Sequence, residues 1–458
     1  MTNFSSETSC TFNELRKLLS EGSFTPSLAE EINGFVAKFN KDEQWHLHCH
    51  WLQVDLYRLI GDNERGLELV SRIQAEDSWQ QAKKDFPAIA SRLLFSAGLL
   101  FRENAKFERA ADSFLSSLEL DGSQLESLHA LQFTRLDDKA LQKFLPRLED
   151  FAASSAWVNP LAKQLLSDWQ FRLGKQDAAL INSFQAAIAS VGSSQRSSID
   201  HMAAPSLPEL LIIGAPKSGT TSMAAWLSAH PQLYVHPRKE LHFFDGRWEW
   251  GQTWYRCQFP CFRQSPSADG LDAPILKLEA TPNYLQLPNI PGRVHKLMPE
   301  AKLIAILRHP LDRALSWYHH IVRQEGVSDT LESVFERELN ELEGSSLEQR
   351  EAIGWHRTNC LLGSAYTEQI NRWQRLFPAQ QLLVIQMEEW LRSPDQTVHR
   401  ISDFLALNPT LCNTLTMQAV PRLNAAPKGY DGVASELQNR VLSLLAPEVE
   451  YWHALSFG

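Results

Sequence analysis

Positive charge, cysteine and long apolar runs are all scarce in this sequence. Lys and Arg number 44 against 54 Asp and Glu, a net charge of −10. That balance excludes a nucleic-acid binder that works by bulk charge, while leaving room for a local basic site for a small anion. Six cysteines are scattered over 458 residues. That is too few for a disulfide scaffold and fits a reducing compartment. No window reaches the roughly 18 apolar residues a membrane helix needs. The first residues show no basic stretch followed by an apolar one, so no secretory leader is expected, and the expected location is cytoplasmic. What is present is an ordinary globular composition, 43% hydrophobic, in a chain long enough for two or three domains.

The chain divides by pattern. Residues 1–190 read as helices, residues 191–206 as a Ser-rich linker without apolar periodicity, and residues 207–458 as a second domain. In the first part the clearest unit is Leu94 to Leu120. Gly98 and Phe101 precede a break at Glu103–Lys106, and Ala110, Ala111, Phe114 and Leu118 recur after it at helical spacing. Small residues at Gly98 and Ala110 let two helices approach, and the aromatics fill the space beside them. This resembles a tetratricopeptide unit. Tyr57, Gly61, Gly66, Val70 and Ile73 form a second candidate, and Gly174, Ala178, Phe184 and Ala187 a third. Their spacing is irregular, so a plain helical bundle stays open beside a degenerate repeat array. Such a domain would offer a surface for a protein partner or for self-association.

The second part alternates short apolar runs with helical segments. The runs are Leu210–Ile213, Ile275–Leu278, Leu303–Leu307 and Leu382–Ile385. Helices are expected over Thr220–Ser228, Asp312–Arg323 and Gln396–Leu405. This order predicts an α/β domain with a mostly parallel sheet.

Its most informative stretch runs from Leu210 to Pro231: an apolar strand, a loop and an amphipathic helix. The loop is Ala215-Pro216-Lys217-Ser218-Gly219-Thr220-Thr221-Ser222. Gly219 lets backbone approach a ligand, the following helix presents free N–H groups, and Lys217 adds a charge. This composition suits a phosphate or a sulfate. In a Walker A loop the lysine follows the second glycine, whereas here Lys217 precedes Gly219. A nucleoside triphosphatase or kinase-like phosphotransferase is thereby disfavoured. A second anion element lies in Ala301 to His320, where Arg308 ends a buried strand and Ser316 follows on the next helix. An arginine fork and a hydroxyl there can share one phosphate.

A third segment, His236-Pro-Arg-Lys239-Glu240-Leu-His242-Phe-Phe-Asp245, gathers titratable groups beside an aromatic pair. On a strand Glu240 and His242 would face the same side. Either can take a proton from an attacking hydroxyl or amine.

Taken with their contexts, these segments resemble the sulfotransferases that use 3′-phosphoadenosine 5′-phosphosulfate (PAPS), over about residues 207–430. Pro216, Lys217, Ser218, Gly219, Thr220, Thr221 and Ser222 match the family's 5′-phosphosulfate loop. Arg308 and Ser316 match its 3′-phosphate site. Lys428 and Gly429 match a late basic loop that closes over the nucleotide. The Lys-Glu-x-His-Phe-Phe-Asp segment and Glu279-Ala-Thr281-Pro282-Asn-Tyr284 resemble the polysaccharide branch. The resemblance implies PAPS as co-substrate and Glu240 as the base. His242 would be the helper, Lys217 would stand at the leaving oxygen, and the 279–284 segment would line the acceptor cleft. The implied acceptor is a glycan or polysaccharide precursor. No metal is expected. His46, His48 and His50 read as solvated or core histidines, and Cys257 and Cys261 have a zinc-like or disulfide-like spacing that stands alone. The alternative class is a nucleotide-binding repeat scaffold without catalysis.

Overall fold

Alternation between local helical contacts and long-range strand pairing divides the chain into two compact units, residues 1–186 and 187–458. The computed structural model describes residues 6–20, 25–42, 45–154, 159–263, 275–325, 329–345, 359–408 and 435–455.

The first unit is built from helices. Helices Pro87–Glu103 and Phe107–Leu120 form the hairpin expected from the sequence, with the break where the apolar period lapses. Gly98 faces Phe114 so closely that a Cβ there would lie 2.5 Å from the Phe114 ring. Phe114 itself is fully buried. Gly66 lets helix Asn63–Ala75 approach two neighbours: a Cβ there would lie 2.8 Å from Leu100 of helix Pro87–Glu103 and 3.3 Å from Tyr57 of helix His46–Ile60. Gly61 ends helix His46–Ile60 at φ 75°, the left-handed conformation that turns the chain back on itself. Leucines, aromatics and alanines on the facing sides make one continuous core.

The second unit contains a five-stranded parallel sheet. Its strands are β1 (Leu210–Gly214), β2 (Leu233–Val235), β3 (Leu276–Ala280), β4 (Lys302–Leu307) and β5 (Leu382–Gln386). Their order is β2-β3-β1-β4-β5. β1 is central and buried throughout, which is why it reads as an unbroken apolar run. Strand β2 is only three residues long, too short for a periodic signal, and was absent from the sequence reading. Met223, Trp226, Leu227 and Trp390 cover the sheet together with Val398 and Ile401. Residues 191–206, expected as a linker, are tied to this unit. Gln195 Nε2 donates to the carbonyls of Pro231 and Leu233, and the Asp200 N–H donates to Cys261. Small polar residues without periodicity here satisfy a sheet edge through side-chain and backbone bonds rather than spanning open solvent.

Among the described residues, no helix is long and apolar enough to cross a membrane.

Candidate active site

Three adjacent parallel strands release their chains at one edge of the sheet, the edge where open α/β folds bind ligands. From β1 the chain enters the loop that follows Gly214. That glycine is demanded by packing: a Cβ would lie 2.4 Å from Leu285 Cβ and 2.8 Å from the Pro282 carbonyl. The Ala215 N–H donates to Ile306 of β4, so the loop is stitched to the neighbouring strand as it starts. Lys217 and Gly219 both take left-handed φ values, 68° and 83°. Gly219 caps helix Thr220–Leu227, and no side chain caps that helix end. Its first N–H groups and dipole therefore suit an anion. Pro216, Ser218, Thr220 and Ser222 are buried, while Lys217, Gly219 and Thr221 are half-buried.

From β4 the chain passes to Arg308, which is half-buried, and then to helix Pro310–Glu325, where Ser316 is buried. The Tyr366 hydroxyl donates to the Arg308 carbonyl at 2.9 Å, and Ser218 is a neighbour of the same tyrosine. One phenol thus holds the Arg308 backbone and lies beside the phosphate loop. Tyr366 opens helix Tyr366–Gln374 and is fully buried. Its bracing role needed the fold. Lys428 and Gly429 lie outside the described residues.

Beside β3 lies the titratable segment. The Glu240 N–H donates to the Ala280 carbonyl at the end of β3. Glu240 and His242 do meet, with Glu240 Oε2 3.4 Å from His242 Nε2. The cause is not strand alternation. Both residues have left-handed φ, 68° and 52°, and the segment is a loop that ends in the short helix Phe243–Gly246. Lys239 Nζ sits 2.5 Å from Glu240 Oε1. His242 Nδ1 sits 2.8 Å from Asp245 Oδ2, which also accepts from Asn283 Nδ2 at 3.0 Å. The result is a row of alternating charge: Lys239, Glu240, His242, Asp245.

That row sets protonation. Burial pushes the Glu240 carboxyl up, but His242 and Lys239 outweigh it and hold it at about 2. Burial pushes His242 down, but Asp245 and Glu240 outweigh it and raise it to about 9. At neutral pH the histidine is an imidazolium and the glutamate a carboxylate.

The segment 279–284, expected to line a cleft, is instead the support beneath this row. Glu279, Thr281 and Tyr284 are all fully buried. The Glu279 carboxyl accepts from Thr281 Oγ1 at 2.5 Å, from the Tyr284 hydroxyl at 2.9 Å, and from the Tyr255 hydroxyl. The Tyr284 oxygen accepts in turn from the Phe243 N–H at 2.9 Å, and Thr281 Oγ1 from the His242 N–H at 3.4 Å. A buried carboxyl group, its pKa pushed up by burial and accepting from three hydroxyls, holds the loop that carries Glu240 and His242. The sequence signal for it was a charged residue inside an apolar strand.

Residues 207–422 match the family model described as sulfotransferase domain. The chain is similar to the bifunctional heparan sulfate N-deacetylase/N-sulfotransferase 2 of Bos taurus, 31% identical over 46% of this chain and 23% of that protein. It is also similar to the heparan sulfate glucosamine 3-O-sulfotransferase 6 of Homo sapiens, 29% identical over 44% of this chain and 52% of that protein. A sulfotransferase from Alicyclobacillus acidocaldarius of known structure is 26% identical, with a TM-score of 0.40, over 55% of this chain and 96% of that one. The chain spans between about a quarter and a half of the length of these two curated relatives.

Proposed function

We propose that the sulfotransferase domain formed by residues 207–422 transfers a sulfuryl group from PAPS to a hydroxyl or amine of a glycan acceptor. What carries this reading is that the segment of Glu240, bonded to the end of β3, and the loops of Lys217 and Arg308, which leave β1 and β4, lie at the carboxyl ends of adjacent strands. The uncapped helix at Gly219 and the left-handed turn at Lys217 fit a 5′-phosphosulfate. Arg308 and Ser316 would hold the 3′-phosphate.

Bound PAPS supplies the sulfuryl group and a bisphosphate leaving group. The protein's part is positional and electrostatic. The Lys217 ammonium and the N–H groups of the loop stabilise negative charge as it grows on the leaving oxygen. Glu240 takes the proton of the attacking hydroxyl or amine. His242 cannot do so while it is an imidazolium, and in that state it orients the Glu240 carboxylate and adds positive charge to the site. Asp245 keeps it in that state. His242 and Lys239 together hold the resting carboxylate acidic, and an acceptor that displaces Lys239 raises Glu240 toward the working pH.

The glycan class of the acceptor rests on the two heparan sulfate sulfotransferases above. A cytoplasmic location and a tetratricopeptide-like docking role for the helical unit complete the reading; they rest on the sequence alone. The test is calorimetric titration with adenosine 3′,5′-bisphosphate, with ATP as control and EDTA present. Tight binding of the bisphosphate and weak binding of ATP is expected, and Lys217→Ala should abolish turnover. Folded protein that ignores the bisphosphate would overturn the reading.

A further inference from the structure

The helical unit holds a side-chain cluster that sulfuryl transfer does not use. His46 and His50 are one turn apart on helix His46–Ile60 and so share a face. Glu76 follows helix Asn63–Ala75 as its C-cap. Two helices of similar length joined by a tight turn at Gly61 bring the end of the second beside the start of the first. Glu76 therefore reaches the histidines from 26 residues further along the chain. His46 Nε2 lies 3.0 Å from His50 Nε2 and 3.6 Å from Glu76 Oε2. The three atoms all lie within 4.8 Å of one another.

Zinc ligands at about 2.0–2.1 Å in a tetrahedral shell stand about 3.3 Å apart. The two measured edges bracket that spacing. The ring orientation also fits. His46 Nδ1 lies 2.7 Å from the Asn40 carbonyl, to which it donates, so its lone pair is on Nε2, facing the cluster. His50 is buried, and its Nε2 is the ring atom turned toward His46 Nε2. His46 and Glu76 are about a third exposed, which leaves a fourth position open to water.

We propose that His46, His50 and Glu76 bind a divalent ion of the zinc class, which clips together the two helices of this hairpin. Two imidazoles and one carboxylate are a donor set that suits zinc, and cobalt as its spectroscopic substitute. Because the ligands come from both helices, the ion binds the folded unit and stabilises it.

The experiment uses the full chain, stripped with EDTA and desalted. Zinc chloride is titrated calorimetrically, cobalt chloride is followed by visible absorption, and melting is recorded with and without zinc. A single ion per chain, a tetrahedral cobalt spectrum and a higher melting temperature are expected. His46→Ala and Glu76→Gln alter partly exposed positions and should leave the fold intact by circular dichroism. Each should weaken zinc by at least the roughly 10–100-fold that loss of a mere supporting residue costs. Absence of saturable binding, or equal affinity in both variants, would overturn the proposal.

Discussion

At the scale of single residues, the row Lys239–Glu240–His242–Asp245 is where charge decides behaviour. His242 is raised from 6.5 to about 9, so its contribution to stability is complete below 6.5 and is lost as pH rises through 9. Glu240 is lowered from 4.5 to about 2, so its contribution is present above 4.5 and is lost as pH falls through 2. Their joint contribution is therefore largest between 4.5 and 6.5. Melting temperature against pH should fall from 6.5 to 9, and His242→Gln should flatten that fall. Activity has its own signature. Glu240→Gln is expected to lower kcat by about 10²–10⁴-fold, the usual worth of a positioned base, with bisphosphate affinity unchanged. Lys239→Met removes the neighbouring cation. The acid limb of kcat/KM should then move toward neutral pH. An unmoved limb would mean that another group titrates there.

At the scale of elements, two close approaches govern packing. Glycine at position 214 lets β1 run under Leu285 and Pro282, and Gly214→Ala would push a methyl into backbone as well as side chain. Overpacking of this kind costs about 1–3 kcal/mol. It would also shift the phosphate loop, so bisphosphate affinity should fall together with the urea midpoint. In the helical unit Phe114 fills the space that Gly98 leaves. Phe114→Ala is expected to destabilise that unit by about 3–5 kcal/mol, as measured by urea unfolding. Beneath the titratable row, Glu279→Leu would leave three buried hydroxyls without their acceptor. Each orphaned donor costs about 1–3 kcal/mol. The second unit should melt earlier, and turnover should fall because the loop of Glu240 loses its support.

At the scale of the whole molecule, the two units have separate cores, so unfolding need not be a single transition. Ligands distinguish the two. Bisphosphate at 100 times its Kd should stabilise the second unit by about 2.7 kcal/mol and leave the helical unit where it was. Zinc should do the reverse. Differential scanning calorimetry with each ligand in turn assigns the transitions. A transition that moved with both ligands would mean that the units unfold as one.

Much of the second unit was legible in the chain itself because its determinants are local. A buried parallel strand must be apolar throughout, and an anion loop needs a glycine and a free helix start. These constraints located β1, β3, β4 and β5 and the loop that follows β1. Other features depended on residues distant in sequence. Strand β2 was too short to carry a period. The burial of Glu279 rests on Tyr255 and Tyr284, which come from separate segments. That His242 is held protonated and Glu240 ionised follows from the order of charges along a folded loop, since pKa is set by distance and solvent exclusion. Glu76 joins His46 and His50 only because a hairpin returns the chain to its start. Sequence alone determined the class of the domain and the chemistry of its loops. Tertiary structure decided which groups face one another, because burial and proximity exist only once distant segments pack.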